Sequence, residues 1–270
     1  MELSSAAALF ATLGHPDRLL VLRLLLRRLP DGVRPGEIAG FTGLRPSTLA
    51  AHLDGLVQAG FATARRRGRA VFYRAEAACL GWLATYLAAD CARGRVTVPQ
   101  PEPFGLIMSK TYNVLFICTG NSARSIMAEA ILAQVGAGKF NAFSAGTHPS
   151  PEVNPIALAV LSHAGHPIDA LRSKSVAEFQ GPGAPKLDFV FTVCDRAAAE
   201  DCPPWPGQPV TAHWGLPDPV KVDGTPAEKA HAFNSVYAAM RRRVLAFTAL
   251  PFETLDRIAL QTSLDAIAEA

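Results

Sequence analysis

Apolar positions in the first third of the chain recur at helical spacing. Leu9, Leu13, Leu20 and Leu24 fall four or seven residues apart, and Pro16-Asp17 suits a helix start. Pro35-Gly-Glu-Ile-Ala opens a short helix that Gly43 breaks. Pro46 opens another, in the first-turn position proline tolerates. Leu49, Leu53, Leu56 and Val57 form its apolar stripe, and Gly60 stops it. Phe61-Ala-Thr-Ala64 and Val71-Phe-Tyr-Arg74 read as two strands around Arg65-Arg-Arg-Gly-Arg69, and a last helix runs from about Glu76 to Ala89. Beyond residue 110 the pattern changes. Asn113-Val-Leu-Phe-Ile-Cys118 and Leu187-Asp-Phe-Val-Phe-Thr-Val193 are apolar runs of the buried, parallel-strand type, and the first feeds a helical Ile126-Met-Ala-Glu-Ala-Ile-Leu.

Between the two patterns, Arg93–Gly105 carries prolines at alternating positions (Pro99, Pro101, Pro103), which favours an extended linker. Just after it, Met108-Ser-Lys-Thr-Tyr resembles the start of an independent chain. The expected organisation is a fusion: an α+β domain over 1–95, a Pro-rich linker over 96–110, and an α/β domain over 111–270.

Composition sharpens this division. With 270 residues, 49% hydrophobic and 18% charged, a packed core is expected and wholesale disorder is excluded. The net charge of +3 hides an asymmetry, because residues 1–95 carry +6, all of it from arginine, and the remainder carries −3. A basic module suggests a polyanionic partner. Apolar stretches such as Ala6–Gly14 and Leu80–Ala89 are far short of the ~18 residues a spanning helix needs. Met-Glu-Leu-Ser-Ser puts no positive residue ahead of its apolar run, so no secretory signal and no membrane partner are expected. Five cysteines, at 79, 91, 118, 194 and 202, are too few and too spread for a disulfide scaffold. A cytoplasmic protein with reduced, buried or redox-active thiols is the expectation.

Two short helices around a glycine turn, followed by a basic hairpin, predict a winged helix-turn-helix. Its second helix enters the major groove and its wing meets phosphates. Arg45, Ser47, Thr48, Ala51 and His52 open that helix and are the candidate groove-facing set. Arg65, Arg66, Arg67 and Arg69 at the hairpin tip suit backbone neutralisation, which supplies affinity but little sequence choice. The bland alternative is a solvated arginine turn on a protein-interaction domain.

In the second domain a strand runs into Cys118-Thr-Gly-Asn-Ser-Ala-Arg124-Ser125 and then into a helix N-terminus. Amides of Thr119, Gly120, Asn121, Ser122, Ala123 and Arg124 turned inward form an anion nest, and the helix end adds positive partial charge. Arg124 offers a planar fork for a tetrahedral oxyanion. That field is expected to depress the Cys118 pKa and leave a thiolate, with Ser125 donating to the sulfur. The nucleotide-type loop ending Gly-Lys-Ser/Thr is absent. Asp218, in His213-Trp-Gly-Leu-Pro-Asp-Pro219, is the candidate acid for a leaving oxygen. Cys194 and Cys202 follow the second apolar strand. Eight residues of intact helix would hold them about 12 Å apart, so pairing them needs a segment that unwinds. A redox relay requires such a pair; inert packing of both is the alternative. His148, His163, His166 and His213 have no metal spacing and are expected at the surface or in loops. Arg241-Arg-Arg243 is expected to be solvated, and Glu129 to help hold the loop.

Two resemblances follow from these residues. Leu13-Gly-His-Pro-Asp-Arg-Leu, Ser47-Thr-Leu-Ala-Ala-His-Leu-Asp-Gly-Leu, Ala59-Gly-Phe and Arg67-Gly-Arg-Ala-Val-Phe-Tyr resemble the arsenic-responsive ArsR repressor family over about residues 5–92. This implies a homodimer built on the first and last helices, operator DNA as partner, and arsenite as inducer. The Cys-x-Cys that many members carry ahead of the recognition helix is missing. Cys91 is the remaining candidate arsenite ligand, since Cys79 lies twelve residues, about 18 Å of helix, away.

The second set is Val114-Leu-Phe-Ile-Cys-Thr-Gly-Asn-Ser-Ala-Arg-Ser, Phe143-Ser-Ala-Gly-Thr-His-Pro, Leu171-Arg-Ser-Lys-Ser, Phe191-Thr-Val-Cys-Asp, Cys202-Pro-Pro-Trp-Pro-Gly and His213-Trp-Gly-Leu-Pro-Asp-Pro. These motifs resemble arsenate reductases of the low-molecular-weight tyrosine-phosphatase fold over about residues 111–270. The resemblance implies a four-stranded parallel sheet flanked by helices. It also implies attack of Cys118 on arsenate with Asp218 assisting, attack of Cys194 on Cys118, and resolution by Cys202. No tightly bound cofactor is expected; an external thiol reductant, thioredoxin or glutaredoxin with glutathione, closes the cycle. Two rivals remain. One is a phosphotyrosine or small phosphomonoester phosphatase on the same loop, although Asp218-Pro-Val-Lys-Val-Asp-Gly lacks the tyrosines such relatives carry. The other is a regulator whose second half senses arsenate without turning it over.

Overall fold

The computed structural model describes residues 2–93, 111–200, 205, 207–252 and 254–269. The Pro-rich linker and Cys202 lie outside the described residues. The chain divides into two compact units, Met1–Glu102 and Pro103–Ala270.

The first unit opens with α1 (Leu3–Leu13) and α2 (Pro16–Arg27). Pro16 stands at the first helical position of α2, and the His15 side chain caps it by accepting the Asp17 amide. α3 (Pro35–Thr42) ends at Gly43, whose φ of +71° is a left-handed cap that favours glycine. α4 (Pro46–Gln58) buries Leu49, His52, Leu53 and Leu56. These pack with Val21, Leu22, Leu25, Ile38 and Phe61 as the unit's fully covered core. Next, β1 (Ala62–Arg67) and β2 (Ala70–Ala75) pair antiparallel, with Arg67 opposite Ala70 across a tight turn at Gly68. Both strands run further towards the tip than the apolar pattern suggested, because ladder pairing does not require apolar side chains there. The expected last helix is shorter as an α-helix: α5 (Ala77–Thr85) passes into a π-helical turn over Tyr86–Cys91.

In the second unit, β3 (Tyr112–Cys118), β4 (Phe140–Gly146), β5 (Phe189–Thr192) and β6 (Val210–His213) form one parallel sheet in the order β4-β3-β5-β6. The strands are connected through α6 (Arg124–Val135), α7 (Pro155–His163) and the short α8 (Asp195–Ala199), with α9 (Pro226–Thr248) and α10 (Arg257–Glu269) closing the chain. Val114, Leu115, Phe116 and Ile117 are fully buried in the centre of the sheet, which is why β3 reads as an unbroken apolar run. Met240, Val244 and Phe247 of α9 and Leu260 and Leu264 of α10 complete that core. Phe191 stacks on Trp214 at 4.2 Å, and the Trp214 indole N–H donates to the Leu264 carbonyl. A second cluster joins α6, α7 and α9 through Ile126, Met127, Leu161 and Phe233. The consequence for chemistry is positional: β3 and β5 run parallel, so Cys118 and Cys194 emerge at the same edge of the sheet.

Candidate active site

Cys118 ends β3 and is 3% exposed. The loop from Thr119 to Ala123 returns the chain to α6, and its shape rests on Asn121. That residue adopts a left-handed φ of +44° and is fully buried. Its amide N–H donates to Cys118 Sγ at 3.1 Å. Its side-chain Nδ2 donates to Ser125 Oγ (2.9 Å) and Ser144 Oγ (2.8 Å), and its Oδ1 accepts the Lys174 amide at 2.6 Å. Because Ser125 Oγ accepts from Asn121, its own proton is free to donate to Cys118 Sγ, 2.9 Å away. The chain continues outward. Ser144 donates to Glu129 at 2.6 Å, and Glu129 pairs with the Lys174 ammonium at 2.9 Å, both largely buried. Glu129 thus holds the loop as expected. Gly146 is the other constraint: a Cβ there would meet the Thr119 carbonyl at 2.7 Å.

Arg124 opens α6. Its guanidinium donates to the Leu216 carbonyl at 3.1 Å and pairs with Asp218 at 2.8 Å. The carboxyl expected over the oxyanion loop is therefore beside it, on the Pro-bounded turn after β6. Cys194 caps α8, accepting the Ala197 amide at 3.4 Å, and lies 3.5 Å from Thr119 Oγ1. The structure brings Cys118, Ser125, Arg124, Asp218 and Cys194 to one edge of the sheet. α8 stops at Ala199, where Glu200 is already extended, so no intact helix runs on from Cys194 towards residue 202.

The electrostatics depart from the expected thiolate. Burial pushes the Cys118 thiol up, and Cys194 adds to this; the Ser125 hydrogen bonds and Arg124 act in the lowering direction. Desolvation wins because the thiol is enclosed.

Of the histidines expected at the surface or in loops, His166 lies in the loop after α7 but is buried, and His213 is a buried residue of β6. His213 is 1% exposed and bridges Thr192 Oγ1 (2.9 Å) and Asp195 (3.2 Å), tying β6 to the segment around Cys194. His166 meets the Tyr237 hydroxyl at 2.8 Å, and burial lowers its pKa. Arg243, expected to be solvated, donates to Gly215 (3.1 Å) and Ala268 (2.7 Å), fixing the turn after β6 against α10. Arg241 and Arg242 are exposed, as expected.

In the first unit, Arg45, Ser47, Thr48 and Ala51 are exposed along the start of α4, and Arg65, Arg66, Arg67 and Arg69 are exposed around the hairpin tip. His52 is a correction to the groove-facing set: it is buried against α2, 3.5 Å from Asp17. Cys91 is exposed, whereas Cys79 is buried with its thiol towards the Ala59 carbonyl. No described helix is long and apolar enough to cross a membrane.

A buried thiol at a strand-to-helix loop, with an arginine and a carboxyl beside it, defines a cysteine-dependent enzyme for tetrahedral oxyanions. Residues 113–258, over half of the chain, match the model for low molecular weight phosphotyrosine protein phosphatase, and the chain belongs to that family. Among curated relatives, an arsenate reductase of Halalkalibacterium halodurans is 34% identical over 134 residues, covering 50% of this chain and 93% of the relative. One from Bacillus licheniformis is 35% identical over 141 residues, covering 52% and 96%. A glutaredoxin arsenate reductase of Synechocystis is 33% identical over 132 residues, covering 48% and 92%.

Proposed function

We propose that residues 111–270 are a thiol-dependent arsenate reductase and that residues 1–95 are an ArsR-like winged helix-turn-helix repressor. The observation that carries the enzymatic half is a second buried thiol, Cys194, beside the loop of the first. A hydrolase on this loop has no use for it.

The placement of Arg124 beside Asp218 and of Cys194 beside the Cys118 loop supports the following reaction. Monobasic arsenate enters the loop, where the amides of residues 119–124 and the Arg124 guanidinium hold its oxygens. As the oxyanion takes over the Arg124 guanidinium, the Asp218 carboxylate receives the Cys118 thiol proton, and the sulfur attacks arsenic. An As–O bond breaks, Asp218 protonates the departing oxygen, and water leaves a thioester of arsenate on Cys118. Cys194 then attacks the Cys118 sulfur. The S–As bond breaks, its electron pair stays on arsenic, and arsenite leaves as the Cys118–Cys194 disulfide forms. Cys202 attacks Cys194, frees Cys118, and leaves Cys194–Cys202 for an external dithiol or glutathione to reduce. Ser125 lowers the cost of the Cys118 thiolate at both stages.

The repressor half rests on exposed arginines at the hairpin tip and exposed polar residues opening α4. Exposed Leu3, Phe10, Trp82 and Leu87 on α1, α5 and the π-turn support a homodimer through those helices. Exposed Cys91 remains the candidate arsenite ligand.

Supplied with thioredoxin or with glutaredoxin and glutathione, the purified chain should form more than one arsenite per protein, and Cys118→Ser should form none. Binding without turnover would establish the sensor reading instead. Arsenite added to a chain–operator complex should release DNA in the wild type and not in Cys91→Ser.

A further inference from the structure

The start of α2 meets the middle of α4 at a corner that neither half of this reading uses. His15, Asp17 and His52 each place a ligand-type atom there, all within 4.8 Å of one another. The two imidazole rings stand 4.6 Å apart, tilted by 48°. His52 is 8% exposed, and its Nε2 is buried without a hydrogen-bond partner. A buried, unpartnered ring nitrogen is costly. The Asp17 carboxylate lies 3.5 Å from it, too far for a good hydrogen bond. That separation is close to the ~3.4 Å edge of a tetrahedron whose ligands lie about 2.0–2.1 Å from a zinc ion. His15 Nδ1 accepts the Asp17 amide at 3.2 Å, so its one lone pair already caps α2, and an ion binding through either ring nitrogen must displace that long hydrogen bond. The neighbouring cation, Arg18, donates to the carbonyls of Thr12 and Ala11.

We propose that His15, Asp17 and His52 form a binding site for a divalent transition-metal ion of the zinc class. Two neutral imidazoles and one carboxylate suit such an ion, and three protein ligands leave a fourth position for water or a further ligand. The ion would give His52 Nε2 the partner it lacks. It would also join the N-terminus of α2 to α4. Any effect of that clamp on DNA rests on α4 being the recognition helix; the site itself does not.

The test is cobalt(II) titrated into the reduced, full chain without DNA, followed by visible absorption and then by displacement with zinc. One equivalent should give d–d bands that are lost or weakened at least about tenfold in affinity in Asp17→Asn and in His15→Gln. Cys118→Ser should leave them unchanged. His52 is in the core, so the wild type supplies an independent readout: bound cobalt should shift or broaden the ring-proton signals of two of its seven histidines. No cobalt binding, or binding that both variants leave intact while the histidine signals stay in place, would overturn the site. A chain that binds cobalt but not DNA would keep this site and lose the repressor reading.

Discussion

Cys118 lies under opposing influences, and the residues around it can be tested singly. Burial raises its pKa, while Ser125 acts in the opposite direction more than Arg124 does. Ser125→Ala should therefore move the pH dependence of Cys118 alkylation upward, measured in a chain carrying serine at positions 194 and 202. No shift would mean that the hydroxyl does not touch the reacting sulfur. Asp218→Asn should lower kcat by about 10²- to 10⁴-fold, the usual range for a general acid, with arsenate still binding. His166 gives a different pH effect. Its pKa is lowered from 6.5 by burial, so below that value the unfolded chain takes up a proton that the native state resists. Stability should fall as the solution is acidified through the folded pKa. A denaturation series from pH 7 to 5 on wild type and His166→Gln should show a smaller loss in the variant.

At the scale of elements, the strand-loop-helix unit was legible because its signals are local. Cys118, Asn121, Arg124 and Ser125 fall within eight consecutive residues between an apolar run and a helix. His213 and Arg243 were not legible, since their partners lie 18 to 28 residues away and only the fold brings them together. His52 is a different kind of miss. Positions 49, 52, 53 and 56 follow the i, i+3, i+4, i+7 pattern, so the stripe itself put His52 on the buried side of α4. The raised Cys118 thiol was hidden because no sequence pattern reports how completely a loop closes. The loop's dependence on β4 gives a prediction at this scale. Gly146→Ala would drive a Cβ into the Thr119 carbonyl, which is backbone and cannot swing away. Arsenate turnover should collapse while circular dichroism stays native-like; full turnover would show that the loop tolerates displacement.

For the molecule as a whole, the even charge of +3 conceals two units with different chemistry. If the first unit is the proposed DNA-binding repressor, its affinity should come largely from neutralised phosphates and fall steeply with salt. Replacing Arg65, Arg66, Arg67 and Arg69 by alanine should weaken binding to all sequences alike. It should also flatten the log-log salt dependence, the slope falling by about one for each phosphate no longer neutralised. An unchanged slope would remove the wing from the interface.

The relay is the central claim, and one stoichiometry tests it. Cys202→Ser protein, given excess arsenate and a full reductant system, should release one arsenite per chain in a burst and then stall, with Cys118 and Cys194 joined in a disulfide visible by mass spectrometry. Steady multiple turnover at the wild-type rate would contradict the relay.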